Sequence, residues 1–207
     1  MPTSSAEASP PPTRKEAILA AAERVFAEEG YDRATLRTIA AAAGVKLSLL
    51  VYHFESKAQL YRAVFERHQH INEERREQLR GVDLAAGDAL EQIVDAFLHT
   101  AYLAERDAAL AQYFGLVLRE ASDPSSAERT IIRDLFDPMA REFIAALRAV
   151  LPDKPEGFHR QAYLFAVGAL TLTANDARER ELAGAEGAAP SRAAVLRGFL
   201  VAALRGG

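Results

Sequence analysis

The stretch that decides the fold of the N-terminal part is Thr35–Phe54, which reads TLRTIAAAAGVKLSLLVYHF. Its first half carries apolar residues at helical spacing, and Gly44 interrupts them because glycine tolerates the positive φ of a tight turn. A second short helix follows. Two such helices form a helix-turn-helix, in which Ile39, Val45 and Leu50 are expected to lock the pair together. An ordinary helical hairpin has the same pattern, so the pattern alone leaves that alternative open.

The second helix of this pair carries its polar and exposed side chains on one side. These are Lys46, Leu47, Ser48, Leu49, Tyr52 and His53. A helix of this width fits the major groove of B-DNA, where base edges can be read. The segment 35–62 holds Arg37, Lys46, Lys57 and Arg62 against Glu55 alone, a net charge of +3. The whole chain has a net charge of −4, but salt screens charges beyond about 8 Å, so a local positive patch suffices for an anionic partner.

Helical periodicity continues along the chain and predicts an all-α protein of about nine helices. The predicted helices cover about 13–29, 35 to the break at Gly44, 46–52, 56–80, 84–105, 107–121, 124–151, 156–181 and 190–205. Thr13 with Glu16, and Ser56 with Gln59, have the spacing of capping boxes. Gly30 stands where a left-handed residue would end the first helix. Pro138 is expected to kink its helix, or to start a new one with Asp137 as N-cap.

Composition limits the classes of protein that remain. The 207 residues contain no cysteine, which excludes disulfides and thiolate metal sites and fits a cytoplasmic protein. No apolar run reaches the roughly 18 residues that would span a bilayer, so no membrane association is expected. Residues 1–12 are rich in Pro, Ser and Ala and predict a disordered tail. The predicted division is this tail, a DNA-binding domain at 13–72 with the helix-turn-helix at 35–54, and a helical domain at 73–207.

The sequence offers no catalytic constellation. It contains no glycine-rich phosphate loop, no G-x-S-x-G and no H-E-x-x-H motif. His70 and Glu74 have the spacing of a metal pair, but two ligands are too few. The run Glu73-Glu74-Arg75-Arg76 is interpreted as charges on an exposed helix, which contribute little energy. The sequence therefore predicts neither an enzyme nor a protein with a metal or cofactor.

A set of residues spread over 13–66 carries a family resemblance. The set is Ile18-Leu19, Ala21-Ala22, Phe26, Gly30-Tyr31, Thr35, Ile39-Ala40, Ala43-Gly44-Val45, Tyr52-His53-Phe54 and Ser56-Lys57. With these residues the segment resembles the DNA-binding domain of the TetR family of transcriptional repressors. A weaker match, Leu118-Arg119-Glu120 with Pro124 and Pro138, resembles a branch of that family with a longer C-terminal domain.

The resemblance implies a helical homodimer in which each subunit places its recognition helix in the major groove of one half-site of a palindromic operator. It also implies that a small molecule binds in the C-terminal domain and changes the spacing of the two DNA-binding domains. Carried over by position, the DNA-binding residues are Thr35, Arg37, Lys46, Leu47, Ser48, Tyr52, His53 and Lys57. Among them, Thr35 and Lys57 are expected near phosphates, and Tyr52 and His53 near the DNA backbone.

The segment departs from the family pattern at three positions. The family often has Ser or Thr at 46, Gly at 48 and Tyr at 51, where this chain has Lys46, Ser48 and Val51. The tyrosine–phosphate contact therefore moves to Tyr52. Lys46 has the alternative of reading a guanine edge, a contact worth about 1–3 kcal/mol of discrimination. Leu47, like the leucine at 49, either meets a thymine methyl group or packs in the core.

Two segments of the C-terminal domain have apolar patterns suited to a dimer interface, 158–174 and 192–204. The expected interface residues are Phe158, Ala162, Ala169, Val195, Phe199 and Leu200. Small residues allow close helix approach, and two helices from each subunit would make a four-helix interface. Burial of both helices inside one monomer is the alternative.

An effector pocket is expected among the helices of 84–181, since small-molecule sites are mostly apolar with a few polar groups. Its expected walls are Phe97, Tyr102, Tyr113, Phe114, Phe136, Met139, Phe143 and Phe165, and its expected polar anchors are Arg119, Thr171, Thr173 and Asn175. Core packing is the alternative for each of them. The sequence thus predicts a ligand-controlled dimeric repressor that binds double-stranded DNA. The alternative is a helical-bundle enzyme or carrier whose helix-turn-helix is merely structural.

Overall fold

The computed structural model describes residues 13–173, 181–182 and 190–206 of the chain. The predicted all-α class is confirmed, and every regular element in these residues is a helix. The helices are α1 (Arg14–Arg33), α2 (Leu36–Ala42), α3 (Leu47–Phe54), α4 (Lys57–Arg67), α5 (Gln69–Arg80), α6 (Ala89–Ala104), α7 (Ala108–Ser122), α8 (Ser126–Arg129), α9 (Ile131–Leu135), α10 (Asp137–Val150), α11 (Phe158–Thr173) and α12 (Arg192–Gly206). The tail predicted at 1–12 and the pocket residue Asn175 lie outside the described residues.

The chain forms two compact units, Met1–Val64 and Phe65–Gly207. The division falls inside α4, whereas the division predicted from the sequence falls after residue 72, within α5. The N-terminal unit holds the helix-turn-helix. The C-terminal unit holds the segments in which dimerisation and effector binding are expected.

Helix α1 begins as the sequence predicts. The Thr13 hydroxyl accepts from the Glu16 backbone N–H at 3.2 Å, and the Glu16 carboxylate accepts from the Thr13 N–H at 2.6 Å, which completes the capping box. Gly30 has a φ of 80°, the positive value expected there. It marks a kink rather than an end, however, since the chain continues helically to Arg33.

Two predicted long helices are broken, which accounts for twelve helices in the described residues against about nine predicted. His68, with φ −104° and ψ 12°, separates α4 from α5. Thr130, at a φ of 59°, separates α8 from α9. Pro138 lies in the first turn of α10, so the prediction that it starts a new helix is right, although Phe136 rather than Asp137 is the N-cap.

Helix α6 is central to the C-terminal unit. It packs against α5, α7, α10 and α12, while α11 packs against α7, α10 and α12. Arg197 of α12 holds Asp95 of α6 through two hydrogen bonds of 2.6 and 2.9 Å. In the part of the chain that the structure describes, no helix has the length and apolar character needed to cross a bilayer.

Candidate nucleic-acid interface

The turn between α2 and α3 is fixed by its backbone and by two buried side chains. Gly44 has a φ of 64°, which strains any residue with a side chain. The Val45 N–H donates to the Ala40 carbonyl at 3.0 Å and closes the turn. Ile39 of α2 and Leu50 of α3 are fully buried. This packing holds the opposite side of α3 outward.

Six of the eight predicted DNA-binding residues are exposed on the N-terminal unit. They are Thr35, Arg37, Lys46, Leu47, Ser48 and Tyr52. Tyr52 is 80% exposed, a high value for a large aromatic side chain. The polar groups of Arg37, Lys46 and Tyr52 form no hydrogen bond or ion pair with the described residues. These groups are therefore available to an external partner.

The N-termini of α2 and α3 differ in their capping. The Thr35 hydroxyl accepts from the Thr38 backbone N–H at 3.0 Å and lies 2.8 Å from the Thr38 hydroxyl, so it caps α2 as expected. Lys46 occupies the N-cap position of α3 without a capping side-chain hydrogen bond. Its long side chain is thus free to extend from the helix start.

Lys57 has a different role from the expected phosphate contact. Its Nζ donates to the carbonyls of Tyr31 at 2.9 Å, Ala34 at 3.2 Å and Asp32 at 3.3 Å. It also lies 4.4 Å from the centroid of the Tyr31 ring, a cation–π arrangement. An ammonium group has three donors, and these carbonyls engage all of them. Lys57 therefore ties α4 to the end of α1, which corrects the expectation of a phosphate ligand.

His53 and Glu55 end the recognition helix. His53 is half-buried, with its ring 5.4 Å from that of Tyr52. Glu55 has φ 54° and ψ −45°, and the Ser56 N–H donates to the Phe54 carbonyl across it. This is a γ-turn with a positive φ at its central residue, the rarer and more strained of the two γ-turn types. The Glu55 carboxylate accepts from the Gln59 side-chain amide at 3.2 Å. Of the second predicted capping box, only the hydrogen bond from the Gln59 backbone N–H to the Ser56 hydroxyl therefore forms.

The expected dimer-interface residues separate into outward-facing and inward-facing sets. Val195 and Phe199 are 57% and 63% exposed on α12. Phe158, Ala162 and Ala169 are half-buried on α11. Leu200 is buried against the interior, because it lies one residue, or about 100° around the helix, from Phe199. Leu200 is therefore a core residue, and its expected place in an interface is corrected.

The expected pocket residues do not line one cavity in the described part of the chain. Phe114 lines a cavity of about 260 Å³, with Ala101, Leu170 and Leu196 among its neighbours. Phe97 and Phe143 line a separate cavity of about 20 Å³.

The remaining pocket residues take several other places. Tyr113 and Phe136 are buried in the core, and the buried Met139 also lines a third cavity, of about 400 Å³, among α5, α9 and α10. Tyr102 is half-buried, and so is Thr171, whose hydroxyl donates to the Val167 carbonyl. Phe165 and Arg119 are exposed, which corrects their assignment as wall and anchor. The side chain of Thr173 lies outside the description.

Arg75 is buried, whereas the charge run Glu73-Glu74-Arg75-Arg76 predicts an exposed side chain. Only 8% of Arg75 is exposed. The available signal was its spacing, since Ile71, Arg75 and Leu79 recur every four residues and share one face of α5. The neighbouring Arg76 follows the expectation, with a partly exposed side chain paired to Glu73 and Glu142.

A helix-turn-helix whose second helix presents cationic and phenolic groups without a polar partner among the described residues is typical of DNA-binding proteins of the helix-turn-helix class. Residues 18–64 match the model for bacterial regulatory proteins of the tetR family. Residues 95–207 match the model for the tetracyclin repressor-like C-terminal domain. The chain belongs to the TetR family of bacterial transcriptional regulators.

Relatives with assigned roles resemble a short part of the chain. The transcriptional repressor BepR of Brucella suis biovar 1 is 42% identical over 60 residues, 29% of this chain and 29% of BepR. The transcriptional activator FasR of Mycolicibacterium smegmatis is 46% identical over 55 residues, 27% of this chain and 25% of FasR. These matches thus cover less than a third of either relative's length.

A solved structure extends the likeness to the whole fold. The crystal structure of a TetR-like transcriptional regulator from Rhodococcus sp. RHA1 superposes with a TM-score of 0.66 at 20% identity. The superposition covers 97% of this chain and 100% of that chain. At this identity the likeness concerns the fold alone.

Proposed function

We propose that this protein is a homodimeric transcriptional repressor that binds a palindromic DNA operator and leaves it when a small molecule occupies its C-terminal unit. It acts as a regulator rather than as an enzyme, needs no cofactor, and works in the cytoplasm, where bacterial DNA lies. The observation that carries the proposal is the exposed side of α3, on which the polar groups of Lys46 and Tyr52 have no partner among the described residues.

The chemistry of that surface supports DNA as the partner. Cationic groups that neutralise phosphates give affinity without sequence information, and contacts to base edges give specificity. Arg37 and Lys46 are suited to either kind of contact. Leu47, 39% exposed, is the outward-facing leucine and is suited to a thymine methyl group.

The exposed apolar residues of α11 and α12 support a dimer. Phe165 on α11, and Val195 and Phe199 on α12, are each more than half exposed. Burying such side chains against a second copy removes them from water and favours a two-fold interface. A two-fold dimer binds two half-sites whose centres lie about 34–36 Å apart, or a multiple of that distance.

The sign of regulation needs its own measurement. A short part of the chain is similar to a repressor, BepR, and a short part is similar to an activator, FasR. A reporter gene placed behind the operator decides between them. Repression predicts higher expression after deletion of the protein's gene, and lower expression would overturn that part of the proposal.

Gel retardation with DNA from around the protein's own gene tests the proposed activity. We expect a specific shift that weakens roughly 10³-fold between 50 and 200 mM salt if about six phosphates are engaged per dimer. The double variant Lys46→Ala/Tyr52→Ala is expected to lose the shift. Arg148→Ala is the matched control, since Arg148 is an exposed cation of α10.

Two outcomes would contradict the proposed activity. One is wild-type affinity in the double variant, because α3 would then not be the reading element. The other is binding that does not change with salt, because contacts to phosphates necessarily release counterions.

A further inference from the structure

Arg75 holds a guanidinium inside the C-terminal unit. Its Nη2 donates to the Phe97 carbonyl at 2.8 Å, and its Nε approaches the Ala96 carbonyl at 3.4 Å. The residue is 8% exposed. Both acceptors are uncharged carbonyls of α6, so neither compensates the positive charge.

The buried charge has no ionic partner in the described residues. No carboxylate pairs with Arg75 there, and the hydrogen bonds of its guanidinium run from Nε and Nη2 to backbone carbonyls. The adjacent Arg76 is partly exposed and yet has Glu142 at 2.5 Å and Glu73 at 2.9 Å. An unpaired buried charge is costly, whereas a surface ion pair contributes little. Stability alone would therefore favour a carboxylate beside Arg75 rather than beside Arg76.

The surroundings of Arg75 are aromatic. The guanidinium carbon lies 5.6 Å from the centroid of the Phe97 ring and 5.4 Å from that of Phe143. Burial lowers the pKa of Arg75, and the nearby phenols of Tyr163 and Tyr113 oppose that shift. An arginine nevertheless stays protonated at every physiological pH. The site therefore combines one fixed positive charge with apolar walls.

A small cavity adjoins the same walls. Phe97, Phe143 and Tyr163 line a space of about 20 Å³ together with Val94, Leu147 and Leu200. This volume holds about one water molecule. A larger ligand therefore has to move the packed helices apart, so it binds an altered packing of this unit more tightly than the packing seen here. Such a difference in affinity is what allows a ligand to shift a conformational equilibrium.

We propose that Arg75 is the anion-binding group of the effector site, and that the effector is a small apolar molecule carrying a carboxylate. The inference rests on the proposed function, because it presumes that a small molecule regulates the protein. A carboxylate pairs with a guanidinium through two parallel charge-assisted hydrogen bonds. A single cation matches a monoanion rather than a phosphate dianion. The apolar remainder of the effector packs against Phe97, Phe143 and Tyr163.

Matched probes test the charge and the apolar body separately. The probes are sodium hexanoate, octanoate and decanoate, the alcohols of the same chain lengths, and inorganic phosphate. Binding to the full chain is measured by calorimetry and by the shift in Tm. We expect at least one carboxylate to bind, its alcohol to bind roughly 10- to 100-fold more weakly because the charge-assisted hydrogen bonds are lost, and phosphate not to bind.

Variants at position 75 assign the effect to the guanidinium. Arg75→Met removes the unpaired charge at similar volume, so we expect carboxylate binding to disappear while Tm stays the same or rises. Arg75→Lys keeps a charge without the planar fork, so we expect weakened carboxylate binding. Arg148→Met on α10 is the control and is expected to bind as the wild type does, since Arg148 is exposed.

Several results would overturn the inference. They are binding of no carboxylate, equal binding of alcohol and carboxylate, and wild-type binding by Arg75→Met or Arg75→Lys. An Arg75→Met chain without a cooperative unfolding transition would also do so, because it would make Arg75 a structural residue.

Gel retardation on the same samples separates this inference from the proposed function. If the protein retards DNA, binds no carboxylate and is unaffected by carboxylates, the proposed effector class is wrong and the proposed DNA-binding function still holds. If carboxylates bind in a way that depends on Arg75 but the protein retards no DNA, the proposed DNA-binding function is wrong and the ligand site at Arg75 still holds.

Discussion

Two lysines on the N-terminal unit have the same charge and different environments. Lys46 is exposed and has no polar partner in the part of the chain that the structure describes, whereas Lys57 donates to three carbonyls and lies over the Tyr31 ring. We expect Lys57→Met to lower the free energy of unfolding by about 2–3 kcal/mol, because hydrogen bonds to a charged group are lost in a half-buried site. We expect Lys46→Met to change it by less than about 0.5 kcal/mol. Thermal unfolding measures both.

The same pair of variants separates stability from DNA binding. Lys46→Met is expected to weaken operator binding, and the slope of log K against log salt drops by about 0.9 for each lost phosphate contact. An unchanged slope with relaxed sequence preference would instead assign Lys46 to a guanine edge. The slope of Lys57→Met should equal that of the wild type, and a reduced slope would restore Lys57 as a phosphate ligand.

Glu55 lies in a backbone conformation that suits glycine. With φ at 54° and ψ at −45°, a side chain costs on the order of 1 kcal/mol or more, and glycine relieves that strain at some cost in chain entropy. We therefore expect Glu55→Gly to raise the free energy of unfolding by up to about 1 kcal/mol. Glu55→Ala is the control for the lost carboxylate, because alanine keeps the strain. A glycine variant no more stable than the alanine variant would contradict this account.

At the residue scale, the sequence predicts exposure better than it predicts partners. Lys46 and Tyr52 could be placed outward from helical periodicity alone, and both are exposed. The role of Lys57 could not be predicted, because its acceptors lie at the C-terminal end of α1, more than twenty positions earlier. The spacing of Arg75 from Ile71 and Leu79 indicates its burial, but nothing local indicates its contacts with Phe97 and Phe143. Such long-range contacts leave no local periodic trace.

At the element scale, helix starts and turns follow from local chemistry, and breaks inside helices do not. The capping box at Thr13 and the glycine turn at Gly44 form as predicted, since both depend on residues a few positions apart. The break at His68 has no glycine or proline to announce it. The segment 57–80 is locally consistent with one helix, so its sequence does not predict the break.

A cluster of charges joins α5 to α10. Glu142 accepts from Arg76 at 2.9 and 2.5 Å and from Arg80 at 3.4 Å. The hydrogen bond from Arg76 is the main cause that holds the pKa of Glu142 below its ordinary value of 4.5. A depressed carboxyl pKa contributes stability above the unfolded-state value and loses it as the pH falls through the folded-state value.

The window for this effect lies below about pH 4.5. We expect the wild type to exceed Glu142→Gln in Tm at neutral pH, and the difference to shrink as the pH falls towards about 3. The gain is modest, because Glu142 is partly exposed and solvent screens the cluster. Glu77→Gln is the matched control, since Glu77 is an exposed carboxylate of α5 without an ion pair in the described residues. A pH-independent difference for Glu142→Gln would remove the role assigned to the cluster.

At the scale of the whole molecule, adjacent residues of α12 distinguish the interior from the surface. Phe199 is 63% exposed, whereas Leu200 is 6% exposed. A monomer gains nothing from an exposed phenylalanine, while a two-fold dimer buries it twice. The amphipathic pattern of 192–204 could be predicted from the sequence, but it does not say which apolar residues face the core, because both sides of α12 are apolar.

Because Phe199 is exposed and Leu200 is buried, substitutions at the two positions are expected to have different effects. Phe199→Glu places a charge in the proposed interface, so we expect a folded monomer in sedimentation and operator affinity reduced roughly 100-fold or more, since the two half-sites no longer act together. Leu200→Ala leaves a cavity in the core, so we expect a dimer whose free energy of unfolding is lower by about 2–5 kcal/mol. Phe199→Glu is thus expected to change the oligomeric state, and Leu200→Ala is expected to change the stability. A Phe199→Glu protein that remains a stable dimer would show that the two copies meet elsewhere on the molecule.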